Sequence, residues 1–228
     1  MLPHLLECRH RLLLIFGLFA VLFMAFFCIS ESLFQALIRP LLQVLPTGDT
    51  LIATHITTAL LTPIQLAADV ALLSTTPYAL WHAWQFAAPG LYRKERKRLR
   101  TTIVVSLVLF FLGLLFCFYW VLPCMFAFFA HAVPTGVRLM PDMGYAIDFI
   151  TRMLLTFGLC FQVPLLCMLS VHVKCVDIRT LNSIRPYIYV LAFTLGMILT
   201  PPDVLSQIML ALPLCLLYEV GIGLARIG

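Results

Sequence analysis

Charge is what this chain has least of. Its 228 residues include 15 basic and 10 acidic side chains, 11% of the total, against 62% hydrophobic residues. A water-soluble globule of this size cannot be coated with so little polar surface, so the composition specifies an integral membrane protein. Catalytic signatures are missing as well. There is no HExxH, no GxSxG, no phosphate-cradling GxxxxGKS/T and no CxxC, and the six histidines are scattered. His4 and His10 stand six apart, a poor fit to one helix face for metal ligation. No enzymatic activity, cofactor or metal site is expected. Repeats and long soluble segments are also lacking, so residues 1–228 read as one membrane domain.

What is present is apolar sequence in long runs. A hydrocarbon core of roughly 30 Å needs about 20 apolar residues per spanning helix, and helices satisfy their own backbone there. Six spans are expected, at about 12–29, 59–81, 103–129, 153–171, 186–199 and 204–222. The first run is too long for a signal-peptide core and is followed by no small-x-small site, so it is expected to stay as an anchor. Internal prolines (Pro63, Pro77, Pro123, Pro164, Pro213) predict bends. The fifth apolar run covers only about 21 Å at 1.5 Å per residue, so the last two helices are expected to be short. The fold class is therefore an all-α bundle of six kinked, unequal transmembrane helices, concave rather than cylindrical. Between the first two spans, RPLLQVLPTGDT contains Pro40, Pro46 and Gly48, which argue against a continuous helix and for a structured cap. Eight cysteines bring no pairing motif: Cys28, Cys117, Cys124, Cys160, Cys167 and Cys215 lie in apolar runs, where a thiol packs as a small hydrophobe.

The few basic residues are unevenly placed. PGLYRKERKRLR, from Pro89 to Arg100, holds Arg93, Lys94, Arg96, Lys97, Arg98 and Arg100 around Glu95. With Arg9, Arg11, Lys174, Arg179, Arg185 and Arg226 they fall on one side of a six-span arrangement, while Arg39 and Arg138 fall on the other. Positively charged short loops stay in the cytoplasm, which predicts cytoplasmic N- and C-termini. Nucleic-acid binding is excluded, since these residues lie near the bilayer without interleaved stacking aromatics; anionic lipid headgroups are the expected counter-charge.

The acids are the remaining candidates for recognition. Glu7, in HLLECRHRLLL, and Glu95 both lie at the same membrane boundary. Two carboxylates on one face can receive guanidinium groups bidentately. Local pairing is the competing account, Glu7 with Arg11 and Glu95 with Arg98 at helical spacing. Within the spans, Asp69, Asp148, Arg152, Gln162 and Glu219 need partners or water. Asp148 and Arg152, four apart, are expected to neutralise each other. Gln162 suits either a hydrogen bond to another helix or a carbonyl freed by Pro164.

HLLECRHRL, RPLLQVLP, TPIQL, WQFAAPGLYRKERK, FQVP, RPY and TPPDVLSQ, in that order, resemble the TatC family, the six-span core component of the twin-arginine protein translocase. The resemblance implies an inner-membrane receptor and scaffold that binds twin-arginine signal peptides of folded proteins, driven by the proton-motive force. It implies Glu95 as principal arginine receptor with Glu7 beside it, and Arg9, Phe86, Pro89, Leu91 and Tyr92 shaping the site. It implies TatA-type and TatB-type single-span partners in a multimeric complex, contacting Met197, Ile198 and Gln162. Pro40 and Asp203 match external-side positions tied to assembly and transport. Two departures from the family pattern stand out: Gln162 replaces a common glutamate, and Cys8 a common leucine. The alternatives kept beside this are a small secondary transporter, prompted by Asp69, Asp148 and Glu219, and a purely structural assembly protein. Inverted symmetry between the two halves, which a transporter would favour, is not visible.

Overall fold

A computed structural model of the protein describes residues 2–44, 51–87, 96–132, 140–172, 176–199 and 204–227. The described residues are almost wholly helical. Helix α1 (Leu2–Cys28) opens the chain and α2 (Ser30–Leu42) follows after a one-residue break at Ile29. Helix α3 (Ile56–Ala87) has 32 residues, roughly 48 Å at 1.5 Å per residue, more than a bilayer core needs. The third span is α4 (Arg96–Phe116), a π-helical turn (Cys117–Val121) and α5 (Leu122–Ala132) in unbroken succession. The fourth is split into α6 (Met143–Cys160) and α7 (Val163–His172), and α8 (Ile178–Leu199) and α9 (Val204–Ile227) pack together at the C-terminal end. Among the described residues, five segments are long and apolar enough to cross a membrane: Arg9–Cys28, Thr57–Gln85, Thr101–Ala132, Met143–His172 and Gln207–Arg226.

Of the five prolines expected to bend helices, Pro123 and Pro164 adjoin local departures from α geometry, while α3 and α9 run unbroken through Pro63, Pro77 and Pro213. Pro123 lacks the N–H that Tyr119 would receive, and the turn before it widens to π geometry, moving the ring away from that carbonyl. Pro164 sits just past the break at Phe161 and Gln162, where the Gln162 N–H bonds the Leu159 carbonyl at 2.9 Å in a tightened turn. No continuous helix crosses RPLLQVLPTGDT: α2 includes Pro40 and ends two residues later at Leu42. A proline that close to a helix end forfeits one hydrogen bond and leaves few others to distort. Pro46 and Gly48 lie outside the described residues. Helices α8 and α9 have 22 and 24 residues and are longer as helices than as apolar runs. In α8 the first two turns carry Arg179, Asn182, Ser183 and Arg185, so only the part after Pro186 is apolar enough to lie in hydrocarbon.

The core lies between α3, α4, α5 and α6, closed by α2 and by α9. Leu66, Phe110, Leu122, Met125, Ile147, Ile150, Met153, Phe157 and Leu210 are fully buried. Helices α4 and α6 approach closely because two facing positions are glycine. A Cβ on Gly113 would come within 2.8 Å of the Phe157 carbonyl, and one on Gly158 within 2.7 Å of the Phe110 ring. Small residues are how helices associate in lipid, where backbone proximity replaces hydrophobic drive. The apolar side chains of α1 face outward, Phe16, Val21 and Met24 being about two-thirds exposed, as suits a helix bathed in lipid along most of its length.

At one end, the chain after α2 is stapled to the start of α6. The Ile52 N–H bonds the Pro141 carbonyl and the Met143 N–H bonds the Ile52 carbonyl, a short parallel bridge. Asp142 completes it: its Oδ2 accepts from the Thr54 N–H and hydroxyl at 2.9 and 2.7 Å, while Oδ1 caps α6 by accepting from Gly144 and Tyr145. The Thr54 hydroxyl and amide, then the cap amides, hold the Asp142 carboxyl down to about 2. Because the folded form binds its proton less readily than the ordinary value of about 3.9, the stabilisation is whole above about pH 4 and is lost as pH falls toward 2. Asp142→Asn keeps an oxygen for the cap but turns an amide donor toward the two Thr54 donors, and should lose about 1 kcal/mol at neutral pH. Thermal unfolding in detergent should show the gap between parent and variant steady from pH 7 to about 5 and closing below pH 4; a gap that is unchanged at pH 3 would contradict the assignment.

Candidate functional site

The first turns of α1 carry Glu7, Arg9 and Arg11, and the helix packs along α3 so that these turns meet the last turns of α3. Arg11 makes the junction. Its Nε and Nη2 donate to Glu7 Oε1 at 3.2 and 2.6 Å. Its Nη1 donates across the interface to the His82 carbonyl at 3.2 Å and to Gln85 Oε1 at 3.1 Å, with His82 Nδ1 at 3.5 Å. Tyr78 stands edge-on to the His82 ring, centroids 4.4 Å apart, and steadies it. The Arg11 side chain is 19% exposed and that of Glu7 44%, so the base is tucked inward and the acid remains reachable. Arg9 is exposed on the same helix. Local pairing of Glu7 with Arg11, the competing account from spacing, is thus present. Reach of Arg11 to α3 is new, and its signal in the sequence is thin: two polar residues, His82 and Gln85, one turn apart near the end of an apolar helix.

The rest of the expected recognition site is reached only in part. Phe86 belongs to the last turn of α3, and Pro89, Leu91, Tyr92 and Glu95 lie outside the described residues, as does Arg98 only in its side chain. What is placed is the boundary from which they depart, the end of α3 at Ala87.

Gln162, expected to touch a partner subunit, instead points inward and is 4% exposed. Its Oε1 accepts from the Ser106 hydroxyl at 2.6 Å and its Nε2 donates to the Ser106 carbonyl at 3.0 Å. Trp84 Nε1 donates to the same hydroxyl at 3.0 Å. The amide therefore serves α4 rather than a carbonyl freed by Pro164, and it joins α3, α4 and the α6–α7 break. With both amide atoms bonded inside the chain, it has little to offer a neighbour.

Among the described residues, Asp69, Asp148, Arg152 and Glu219 each have a side-chain partner. Asp148 Oδ1 accepts from Arg152 Nε at 2.8 Å, the expected i,i+4 pair, and from Gln65 Nε2 at 3.1 Å. Asp69 Oδ2 accepts from the Thr151 hydroxyl at 2.9 Å. Glu219 on α9 receives Arg185 at 2.7 Å and the Tyr189 hydroxyl, both from α8. An open cleft of about 320 Å³ between α3 and α6 reaches from Thr54 and Asp142 down to Gln65 and Arg152. Met197 and Ile198 are 59% and 67% exposed on α8. Pro40 is buried in α2, and Asp203 lies outside the described residues.

Gln162→Leu should destabilise the bundle by about 1–2 kcal/mol, because Ser106 is left with buried groups unpaired. Adding Ser106→Ala together with Trp84→Phe should recover part of that loss, since the hydroxyl is then removed without stranding the Trp84 N–H. Additive losses in detergent thermal unfolding of the single and combined variants would refute the network.

The family profile for the Sec-independent protein translocase protein (TatC) matches residues 3–213. A Sec-independent protein translocase protein TatC of Haemophilus influenzae is 40% identical over 226 residues, covering 99% of this chain and 88% of the relative. That of Escherichia coli K12 is 35% identical over the same shares of both chains. A crystal structure of a twin-arginine translocase receptor, TatC, superposes with a TM-score of 0.89 at 30% identity over 98% of each chain. A profile running through all but the first two and last fifteen residues, full-length relatives and one shared helical architecture agree: the chain belongs to the TatC family.

Proposed function

We propose that this chain is the receptor and scaffold subunit of a twin-arginine translocase, binding twin-arginine signal peptides of folded proteins for export across a bacterial inner membrane. The observation that carries this reading is the Glu7 carboxylate, exposed and held by Arg11 against the end of α3, in a chain that superposes end to end on a twin-arginine translocase receptor. Glu95 is the principal acceptor for a signal arginine, Glu7 its neighbour, and Arg9, Phe86, Pro89, Leu91 and Tyr92 complete the surroundings. Carboxylate and guanidinium recognise each other through paired, charge-assisted hydrogen bonds. No bond is made or broken. Single-span subunits of the TatA and TatB types pack against α8 around Met197 and Ile198, whose exposure leaves large apolar surface for another helix. Pro40 and Asp203 serve assembly on the external side. The acids that prompted a transporter reading are engaged with neighbours on adjacent helices, which favours a scaffold role for them.

The reading requires the hexabasic connection and both termini to face the cytoplasm. Single cysteines placed in that connection of a cysteine-free variant should be blocked only by membrane-permeant thiol reagents; blocking by an impermeant reagent added outside intact cells would defeat the topology.

Recognition itself is tested by photocrosslinking. A probe at position 95 should label a twin-arginine precursor and lose that label when the pair is Lys-Lys. Glu95→Gln and Glu95→Ala should abolish signal-peptide crosslinking while insertion is kept; wild-type crosslinking in both variants would remove Glu95 from the site.

A further inference from the structure

The guanidinium of Arg11 faces two ways. One edge, Nε and Nη2, is spent on Glu7 Oε1, and the remaining amine, Nη1, is bonded to the His82 carbonyl and to Gln85 Oε1 on α3. The carboxylate proposed to greet a signal arginine is therefore already in contact with an arginine of the chain itself. We propose that Arg11 is a resident competitor for Glu7, which sets the affinity threshold that an incoming arginine must exceed. This inference rests on the docking reading given above.

Three features make the exchange workable. The Glu7 side chain is 44% exposed and that of Arg11 19%, so a ligand approaches the acid from solvent while the resident base lies on the protein side. Displacement does not strand a charge, because Nη1 keeps its bonds to α3 when the other edge lets go. The pair is also an exposed i,i+4 contact, a class weak enough to be opened by a better-placed partner. Arg11 thus alternates between holding Glu7 and resting on His82 and Gln85, with no helix needing to move.

Competition of this kind has a quantitative signature. An occupant belonging to the same chain divides the affinity of every ligand for that carboxylate by one common factor. It raises the threshold and leaves the preference between ligands unchanged. For an exposed pair the factor is about 2 to 6. An Arg11 that touched the peptide would change the preference instead, and one that only packed α1 on α3 would be needed for binding.

The test uses the full chain in membrane vesicles, titrated with a fluorescein-labelled synthetic signal peptide carrying Arg-Arg and with its Arg-Lys counterpart. Arg11→Gln should tighten both by the same factor, about 2 to 6. Arg11→Lys, which keeps a charge and reach toward α3 but not the paired donors, should tighten both by less, and it carries the test if the glutamine variant fails to fold. In a Glu7→Gln background the Arg11 substitutions should change nothing. Weaker or unchanged binding by the Arg11 variants, or a changed ratio between the peptides, overturns the proposal while the docking reading stands. Full-affinity binding by Glu7→Gln alone overturns Glu7's part in the docking reading, and the proposal with it.

Discussion

Hydrocarbon offers no hydrogen-bond partner, and the structure is organised by that refusal. Acids and amides described within the spans are answered by side chains of the same chain: Gln162 by Ser106, Asp148 by Gln65 and Arg152, Asp69 by Thr151, Glu219 by Arg185 and Tyr189. Each of these contacts except the Asp148–Arg152 pair joins two different helices. Since lipid is as apolar as leucine, such bonds and close backbone approach do the holding that hydrophobic burial does in water. The glycines that let α4 meet α6 and the Ser106–Gln162 bonds belong to the same interface, so shape and polarity there support each other.

The same constraint explains what could be read in advance. Apolar runs show where helices cross, because a span has to be continuous, and Pro123 and Pro164 show where they deform, because a missing N–H has a fixed local consequence. Spacing within one helix was equally legible: Asp148 with Arg152 and Glu7 with Arg11 are each four apart. Contacts between distant residues were not. Nothing in the order of residues joins Gln162 to Ser106, Asp142 to Thr54 or Arg11 to Gln85, since a glutamine looks the same whether its partner is four residues away or fifty-six. For Gln162 the residue type points to a bond with another helix or a carbonyl freed by Pro164, without naming Ser106.

The two ends of the bundle solve different problems. At the end bearing Thr54 and Asp142, backbone and side chain lock a loop to a helix start, and the carboxylate is fully engaged by four donors. At the end bearing Glu7, the carboxylate is engaged through one oxygen by one arginine and stays reachable from solvent. A stapled acid makes structure; a loosely held one can exchange partners.

That contrast bears on how a receptor without covalent chemistry can be selective. An acid left bare in a chain with a hexabasic connection would be open to several competing cations, and its availability would depend on which of them held it. Committing one arginine to it, anchored on a helix and unable to leave, replaces that variable competition with a fixed one. The ligand then meets the same barrier each time, and a guanidinium pair, with geometry equal to the resident's and a second carboxylate to satisfy, is the ligand best suited to pass it.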